Sequence, residues 1–547
     1  MPWYVCLLAA ALAGALLACI SGALKAFCNV NEVISCILLN WISLYAVNSL
    51  LSLVKDSNTP YTVKLSVGNP SALMPSLGLE KLFSNNRYVT IAIPLAIVIA
   101  VLIWVLLSKT KLGYELKATG LNKNAAKYCG MREKQNLILT MGIAGALAGI
   151  GAGFMFLSGF EEWAVAQSAV PAMGFNGIAA AFLGGLHPIG TIFASFFIQH
   201  ITLHVRLRAV LPAGYDAPGG AQSGSEPAEG GESQMTLLLQ YMLMFASVLL
   251  LVALGGCFSE HSGVINIGLE GIMVFGALGG ALMMKYMPDG TAVVVVILLT
   301  TLMAMIFGML YSLLLAVAAI NFKADQTLVG TAMNLLGTAA ATVIVKAINI
   351  AEDVSNVSSA ITYINVKKAF LVDINGFEFN WFMLMAAMLL VISYVLLYKT
   401  RFGLRLQACG EHPQAADSVG INVYKMRYAG VMISGVLGGL GGLVYITAGV
   451  SEWKFENGVA GFGFLALAVM IFGQWKPLRI ALAALLFGLF RSLSNVYTGF
   501  DFLAQLNLPS TFYNMLPYII SLLVLALTSS KSRAPKAEGI PYDKGSR

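Results

Sequence analysis

Charge is scarce in this sequence of 547 residues: Asp, Glu, Lys and Arg make up 11% of it, against 58% hydrophobic residues and a mean hydropathy of +0.79. A soluble domain cannot hide that much apolar surface, so the soluble classes are excluded, and nucleic acid is not expected as a partner. Histidine is also rare, with five (His187, His200, His204, His261, His412) scattered along the chain and no second one at ligand spacing from His261. The seven cysteines stand singly with no CxxC pair, so neither a metal site nor a disulfide framework is expected. No GxxxxGK[ST] occurs anywhere, so any ATP hydrolysis must belong to another subunit. Paired carboxylates and a nucleophile beside a base are missing too. No catalytic residue, cofactor or enzyme activity is therefore expected.

What the sequence has is long charge-free runs. Residues 89–108, 237–256, 291–321 and 381–398 each reach or approach the roughly 20 residues that carry a helix across a bilayer. The N-terminal run has no basic region before it and reads as a first retained span. An all-α, polytopic transmembrane bundle is expected. Residues 109–134 hold seven Lys or Arg against Glu115 and Glu133 and should face the cytoplasm, together with the basic tail 531–547. The comparatively acidic stretch 351–380 should face outward.

The chain also repeats itself. KTKLGYELKATGLNKNAAKYCGM at Lys109 matches KTRFGLRLQACGEHPQAADSVGI at Lys399, 290 residues on, and the same displacement pairs Glu162-Trp163 with Glu452-Trp453. Gly184 and Pro188 pair with Gly473 and Pro477 at 289, and NEVISCILLN ending at Asn40 resembles DQTLVGTAMN ending at Asn334. Two homologous units therefore run in parallel. We assign 1–210 to a shortened first unit of about five spans and 235–530 to a complete second unit of about eight. Residues 211–234, rich in Gly, Pro, Ser and Ala with four acids and no base, read as a flexible linker. Met235 after it looks like a former start and hence a gene fusion.

The repeated basic segment is amphipathic and sets paired alanines between glycines: Gly120, Ala125, Ala126 and Gly130, then Gly410, Ala415, Ala416 and Gly420. A short helix lying flat with small residues exposed can dock in a partner's groove, whereas a single copy would pass for an ordinary positive-inside loop. The segment resembles the coupling-helix region of permeases from the branched-chain amino acid and simple sugar group of ABC importers. The second half, with SGVINIGLEGIM at Ser262 and the ending APKAEGIPYDK, is similar to nucleoside permeases of that group. The first half resembles the companion permease through KAFCNVNEVISCILLNW, but has no counterpart of GVINIGLEG. The resemblance implies a cytoplasmic ATP-binding subunit, an external substrate-binding lipoprotein, nucleoside import, and a site in the plasma membrane of a bacterium.

Polar groups inside apolar runs mark the candidate solute path, since an ionised side chain at mid-membrane costs about 2.5–3.5 kcal/mol. In the second half these are Asn266, Glu270, Gln326 and Asn334, and the spacing of Gly263, Asn266, Gly268 and Glu270 suggests a broken helix. Glu32 and Asn40 match Gln326 and Asn334, eight residues apart in each copy and near one helical face. These amides can equally bridge helices. The recurring Glu-Trp pairs read first as interfacial anchors, with contact to the binding protein as the alternative. Two rival functions stay open: import of simple sugars or branched-chain amino acids, and a secondary transporter coupling protons through Glu32 and Glu270.

Overall fold

The computed structural model describes all residues except 58, 84, 87, 166–169, 172, 210–230, 289, 363–370, 375–376, 448–451, 501–504, 506–509, 529–533 and 545–547. Most of the expected linker thus lies outside the described residues. The chain forms two compact units, Met1–Gly220 with Ala526–Ser530, and Ala221–Leu525 with Lys531–Arg547.

The first unit contains α1 (Trp3–Cys28), α2 (Glu32–Leu51), α3 (Ala92–Lys109), the short pair α4 (Lys111–Leu121) and α5 (Lys123–Tyr128), then α6 (Glu133–Leu157), α7 (Met173–Leu183) and α8 (Pro188–Ala209). The second contains α9 (Gly231–His261), α10 (Leu269–Lys285), α11 (Val293–Ala316), α12 (Gln326–Glu352), α13 (Trp381–Lys399), the pair α14 (Arg401–Glu411) and α15 (Pro413–Ser418), then α16 (Val423–Thr447), α17 (Phe462–Phe472), α18 (Pro477–Val496) and α19 (Ser510–Thr528). The last four residues expected in the linker, 231–234, open α9 instead.

Among the described residues, eleven helices are long and apolar enough to cross a membrane, four before the linker and seven after it. That is one fewer in each half than expected. Each half keeps one shorter apolar helix: α7 stops after 11 residues at Gly184-Gly185, and α19 contributes Thr511–Leu527. The fold is the all-α polytopic bundle expected.

Local chemistry fixes the helix starts. Asn31 accepts from Val33 N at 2.9 Å to open α2, Asp325 from Leu328 N at 2.9 Å to open α12, and Asn380 from Phe382 N at 2.9 Å to open α13. Each such cap is worth about 1 kcal/mol.

Glycine then sets the helix crossings, twice in the same way. A Cβ on Gly14 of α1 would lie 2.2 Å from Gly145 O of α6, and one on Gly308 of α11 would lie 2.3 Å from Gly435 O of α16. Four residues along, Gly149 meets Ala10 O at 2.1 Å and Gly439 meets Ala304 O at 2.5 Å. Backbones this close leave no room for any side chain, which is how small residues join helices in lipid, where no hydrophobic force drives helices together. The turns after both helices agree: Asn29 has φ +55° and Lys323 φ +52°, 294 residues apart. So α1 and α2 correspond to α11 and α12, α3 to α13, and α6 to α16.

At the end of α16 away from α14 and α15, β4 (Glu452–Lys454) pairs antiparallel with β1 (Ala360–Thr362), setting Trp453 opposite Ile361. The first unit repeats this ribbon in miniature, with Thr62 N donating to Trp163 O at 3.0 Å and Tyr61 bridged to Ala164. Trp163 donates its indole N–H to Asn48 at 2.9 Å and Trp453 to Gly458 O at 3.0 Å. The second hairpin, β2 (Leu371–Ile374) with β3 (Phe377–Asn380), leads directly into α13.

Candidate functional site

The second unit breaks its first helix where glycine spacing suggested. α9 ends at His261, Gly263 adopts φ +92°, and α10 begins at Leu269, leaving 262–268 outside any helix. Buried backbone groups left over by such a break must find partners, and α12 supplies them. Gln326 Oε1 accepts from Ile265 N at 2.7 Å, Asn334 Nδ2 donates to Ile267 O at 2.9 Å, and Asn334 Oδ1 accepts from Gly271 N at 2.9 Å. The eight-residue spacing read from the sequence therefore puts two amides on one face of α12, against one turn.

Glu270, in the first turn of α10, accepts from Gly461 N at 2.8 Å and Gly463 N at 2.7 Å. Its carboxylate thus caps the N-terminus of α17, where a negative charge meets unpaired N–H groups and the positive end of the helix dipole. A Cβ on Gly463 would sit 2.5 Å from Glu270 N, so glycine is obligatory at that contact. Asn266 donates Nδ2 to Ser434 Oγ on α16 at 2.8 Å.

Two polar atoms of this cluster have no partner: Asn266 Oδ1, in a residue with 0% exposure, and Gln326 Nε2, in one with 3%. One is an acceptor and the other a donor, in a region where an unmet buried group costs about 1–3 kcal/mol.

In the first unit the matching residues are not assembled. Glu32 pairs with Lys25 at 2.6 Å, and Asn40 is exposed. Among the described residues, the first unit has no counterpart of α10 or of the turn that Asn334 clamps.

The two repeated basic segments, expected to dock a partner, are built alike. Thr110 and Thr400 each accept from the N–H three residues on, at 3.1 and 3.2 Å, and donate to the carbonyl four residues back at 2.6 Å. Gly113 and Gly403 fit the resulting corner only because a Cβ would lie 2.1 Å from Leu106 O and Leu396 O. Gly130 and Gly420 close both segments at φ +78° and +83°, a conformation other residues adopt at a cost. Ala126 and Ala416 are buried, whereas Ala125 and Ala415 face out.

The remaining pair differs. Nothing stands near Gly120, but a Cβ on Gly410 would meet His261 O at 2.3 Å. The exposed apolar residues differ too: Tyr114, Leu121 and Tyr128 in the first segment, Leu404 and Val419 in the second.

The C-terminal tail is packed rather than merely basic. Ala537 N donates to Gly410 O at 2.8 Å, Gly539 N to Gly263 O at 3.3 Å, and the buried Arg427 to Ile540 O at 3.0 Å. Tyr542 is buried with Cys409, Ala416 and Val423, and its ring meets Tyr424 at 5.4 Å. Lys323 pairs with Asp543 at 3.1 Å. The tail thus straps the second docking segment to the α9–α10 turn and to α16. Glu538 faces Glu260, and burial pushes the Glu538 carboxyl up to about 7 despite the hydrogen bond between them.

Sequence reasoning missed Ser434, Gly461, Gly463 and the strap. Arg427, a cation that follows Lys425 in the first turns of the otherwise apolar α16, was the available signal for the strap. The glycines carry none, because their role is visible only beside Glu270.

Comparison with known proteins agrees with this geometry. The guanosine ABC transporter permease protein NupQ of Bacillus subtilis is 40% identical over 317 residues, 57% of this chain and 98% of that protein. The nucleoside ABC transporter permease protein NupC of Lactococcus lactis is 38% identical over 314 residues, again 57% of this chain and 98% of its own length. NupB, a nucleoside ABC transporter permease protein of the same organism, is 36% identical over 220 residues, 39% of this chain and 56% of that protein. No solved structure matches. The family described as branched-chain amino acid transport system, permease component, matches twice in tandem, over residues 1–207 and 238–526. With two matches covering both helical units, this chain belongs to that permease family and is a multi-pass protein of the bacterial plasma membrane.

Proposed function

We propose that this chain is the membrane-spanning component of an ATP-driven nucleoside importer, with ATP hydrolysed by a separate cytoplasmic subunit and solute delivered by an external binding lipoprotein. The observation that carries the substrate class is the 38–40% identity to nucleoside and guanosine permeases across 98% of their length. The family's description keeps branched-chain amino acids as the second reading.

The residues fit this role in a definite way. Asn266 Oδ1 and Gln326 Nε2, unpaired when the turn is closed, would meet the hydroxyls and ring nitrogens of a nucleoside when it opens. Asn334 would hold the turn's backbone through that change, and Glu270 would carry it to α17. Gly120, Ala125, Ala126 and Gly130, with Gly410, Ala415, Ala416 and Gly420, would seat the ATP-binding subunits, Ala125 and Ala415 presenting the outward faces. The proton-coupled alternative draws less support, because Glu270 already accepts two N–H groups and Glu32 pairs with Lys25.

The test is uptake of radiolabelled guanosine, adenosine, uridine, ribose and leucine by cells carrying this chain with a matching ATP-binding subunit and binding protein. Nucleoside uptake abolished by Ala125→Trp with Ala415→Trp is expected. Uptake of leucine alone would sink the nucleoside reading. Uptake that survives loss of the ATP-binding subunit and collapses with a protonophore would sink the ATP-driven one.

A further inference from the structure

The second basic segment is tied to the polar turn, and the first is not. A Cβ on Gly410 would meet His261 O at 2.3 Å, whereas nothing stands within 4 Å of the same position on Gly120. Leu137 stands 290 residues before Arg427, so the first unit also lacks the cation that holds the tail. Pro535, Ala537 and Tyr542 are buried while Lys536, Ile540 and Asp543 are exposed, so residues 535–542 lie flat with one side inward.

The strap's backbone bridges the two elements directly. Ala537 N donates to Gly410 O at 2.8 Å and Gly539 N to Gly263 O at 3.3 Å, so two residues of strap, about 7 Å of chain at most, separate the segment from the turn. Glycine at both contact points leaves no slack. A Cβ on Gly539 would lie 2.8 Å from Ile265 Cδ1, and one on Gly263 would lie 2.9 Å from Arg427 Nη2 and 3.4 Å from Ala537 O. Arg427 in turn donates to Ile540 O at 3.0 Å, and Tyr542 is buried in one cluster with Ala416 of the segment. Beyond the turn the line continues: Gln326 accepts from Ile265 N, Asn334 clamps Ile267 O and Gly271 N, and Glu270 accepts from two N–H groups at the start of α17. The direct contact between Gly410 and His261 O can push the turn but cannot pull it. The strap's hydrogen bonds resist both.

We infer that residues 535–542 are the transmission element of the second unit: the strap stays docked through the transport cycle and carries displacement of the segment 401–418 to the turn 262–268. Arg427, Gly539 and Tyr542 are its positioning residues. The inference rests on the ATP-driven reading, in which 401–418 seats an ATP-binding subunit. A transmission line needs an element with two arrangements at its end, and the turn has that character. Asn266 Oδ1, Gln326 Nε2 and the Nε and Nη2 of Arg427 have no partner in the closed arrangement, although these residues are 0%, 3% and 0% exposed. Buried groups left unmet favour a second arrangement that meets them.

The test reconstitutes the full chain with its ATP-binding subunit and binding protein in vesicles, and measures radiolabelled guanosine uptake and ATP hydrolysis on the same samples. Two variants break the strap differently. One is a chain ending at Arg533; the other is Arg427→Met, which keeps much of the side chain's bulk, removes its unmet donors and is therefore expected to fold. Uptake per ATP hydrolysed should fall about tenfold in the shortened chain and about threefold in Arg427→Met, with hydrolysis within about twofold of the unaltered complex. Size-exclusion profiles report assembly, and if the shortened chain does not assemble, Arg427→Met decides. A ratio unchanged in either assembled variant, including one in which uptake and hydrolysis fall together, would mean that the strap only braces the fold and would overturn the inference. Uptake by the unaltered chain that needs no ATP is measured first; it would overturn the ATP-driven reading itself, and the inference with it.

Discussion

The two units share a crossing and differ in what surrounds it. Gly14 on Gly145 and Gly308 on Gly435 give the same close contact, and Thr110 and Thr400 turn the same corner into the docking segment. Among the described residues only the second unit has α9, α10 and the strap, and only there do the candidate solute-path residues converge on one turn. Helix α12 carries Asn334 against a broken turn, whereas its counterpart α2 carries Asn40 to an exposed position. A residue's role in this fold is set less by its own helix than by which helix faces it.

Four experiments sharpen that contrast. The largest effect is expected for Asn334→Ala, which strands Gly271 N and Ile267 O at about 1–3 kcal/mol for each group and should abolish uptake. Asn40→Ala should leave both thermal stability in detergent and uptake near wild type; an equal loss from the two would break the comparison.

Next is a pair of opposite sign. Gly441→Ala forces a methyl into Val252, whose branched side chain has little rotamer freedom, and should destabilise by about 1–3 kcal/mol. Gly151→Ala gains helix propensity in open space and should stabilise by up to about 1 kcal/mol. Melting temperatures of the two purified variants settle this.

Third, Tyr542→Ala empties the contact that ties the strap to Ala416 and Tyr424, and should cut uptake a few-fold while the ATPase rate of the assembled complex falls less. Equal falls would argue that the strap only stabilises the fold.

The smallest effect is on pH. Burial raises the Glu538 carboxyl to about 7, so docking of the strap is fully favoured below the free carboxyl's value and weakens as pH rises through about 7. Glu538→Gln cannot lose that proton. The ratio of its uptake to wild type should therefore rise between about pH 5.5 and 8.5, and a flat ratio would exclude the carboxyl as the titrating group.

Much of this was legible in the residues. Gly263, Asn266, Gly268 and Glu270 announced a broken helix, and residues 262–268 are one. Gln326 and Asn334 announced a shared face, and both reach the same turn. The partners were not legible. Nothing near Glu270 in sequence points to Gly461 and Gly463, 191 and 193 residues away. The tail's basic character gave only its side of the membrane; Ala537 and Tyr542 are buried, because its backbone meets groups at Gly410, Gly263 and Arg427.

The sequence alone determined the membrane class, the two parallel units and the duplicated basic segment. Hydrophobicity, charge placement and register are local properties that no folding partner alters. Only the tertiary structure decided that Glu270 caps a helix and that the tail is a strap. Those depend on which helices meet, and in lipid that choice rests on sub-ångström fit between glycine backbones, a quantity no single segment carries.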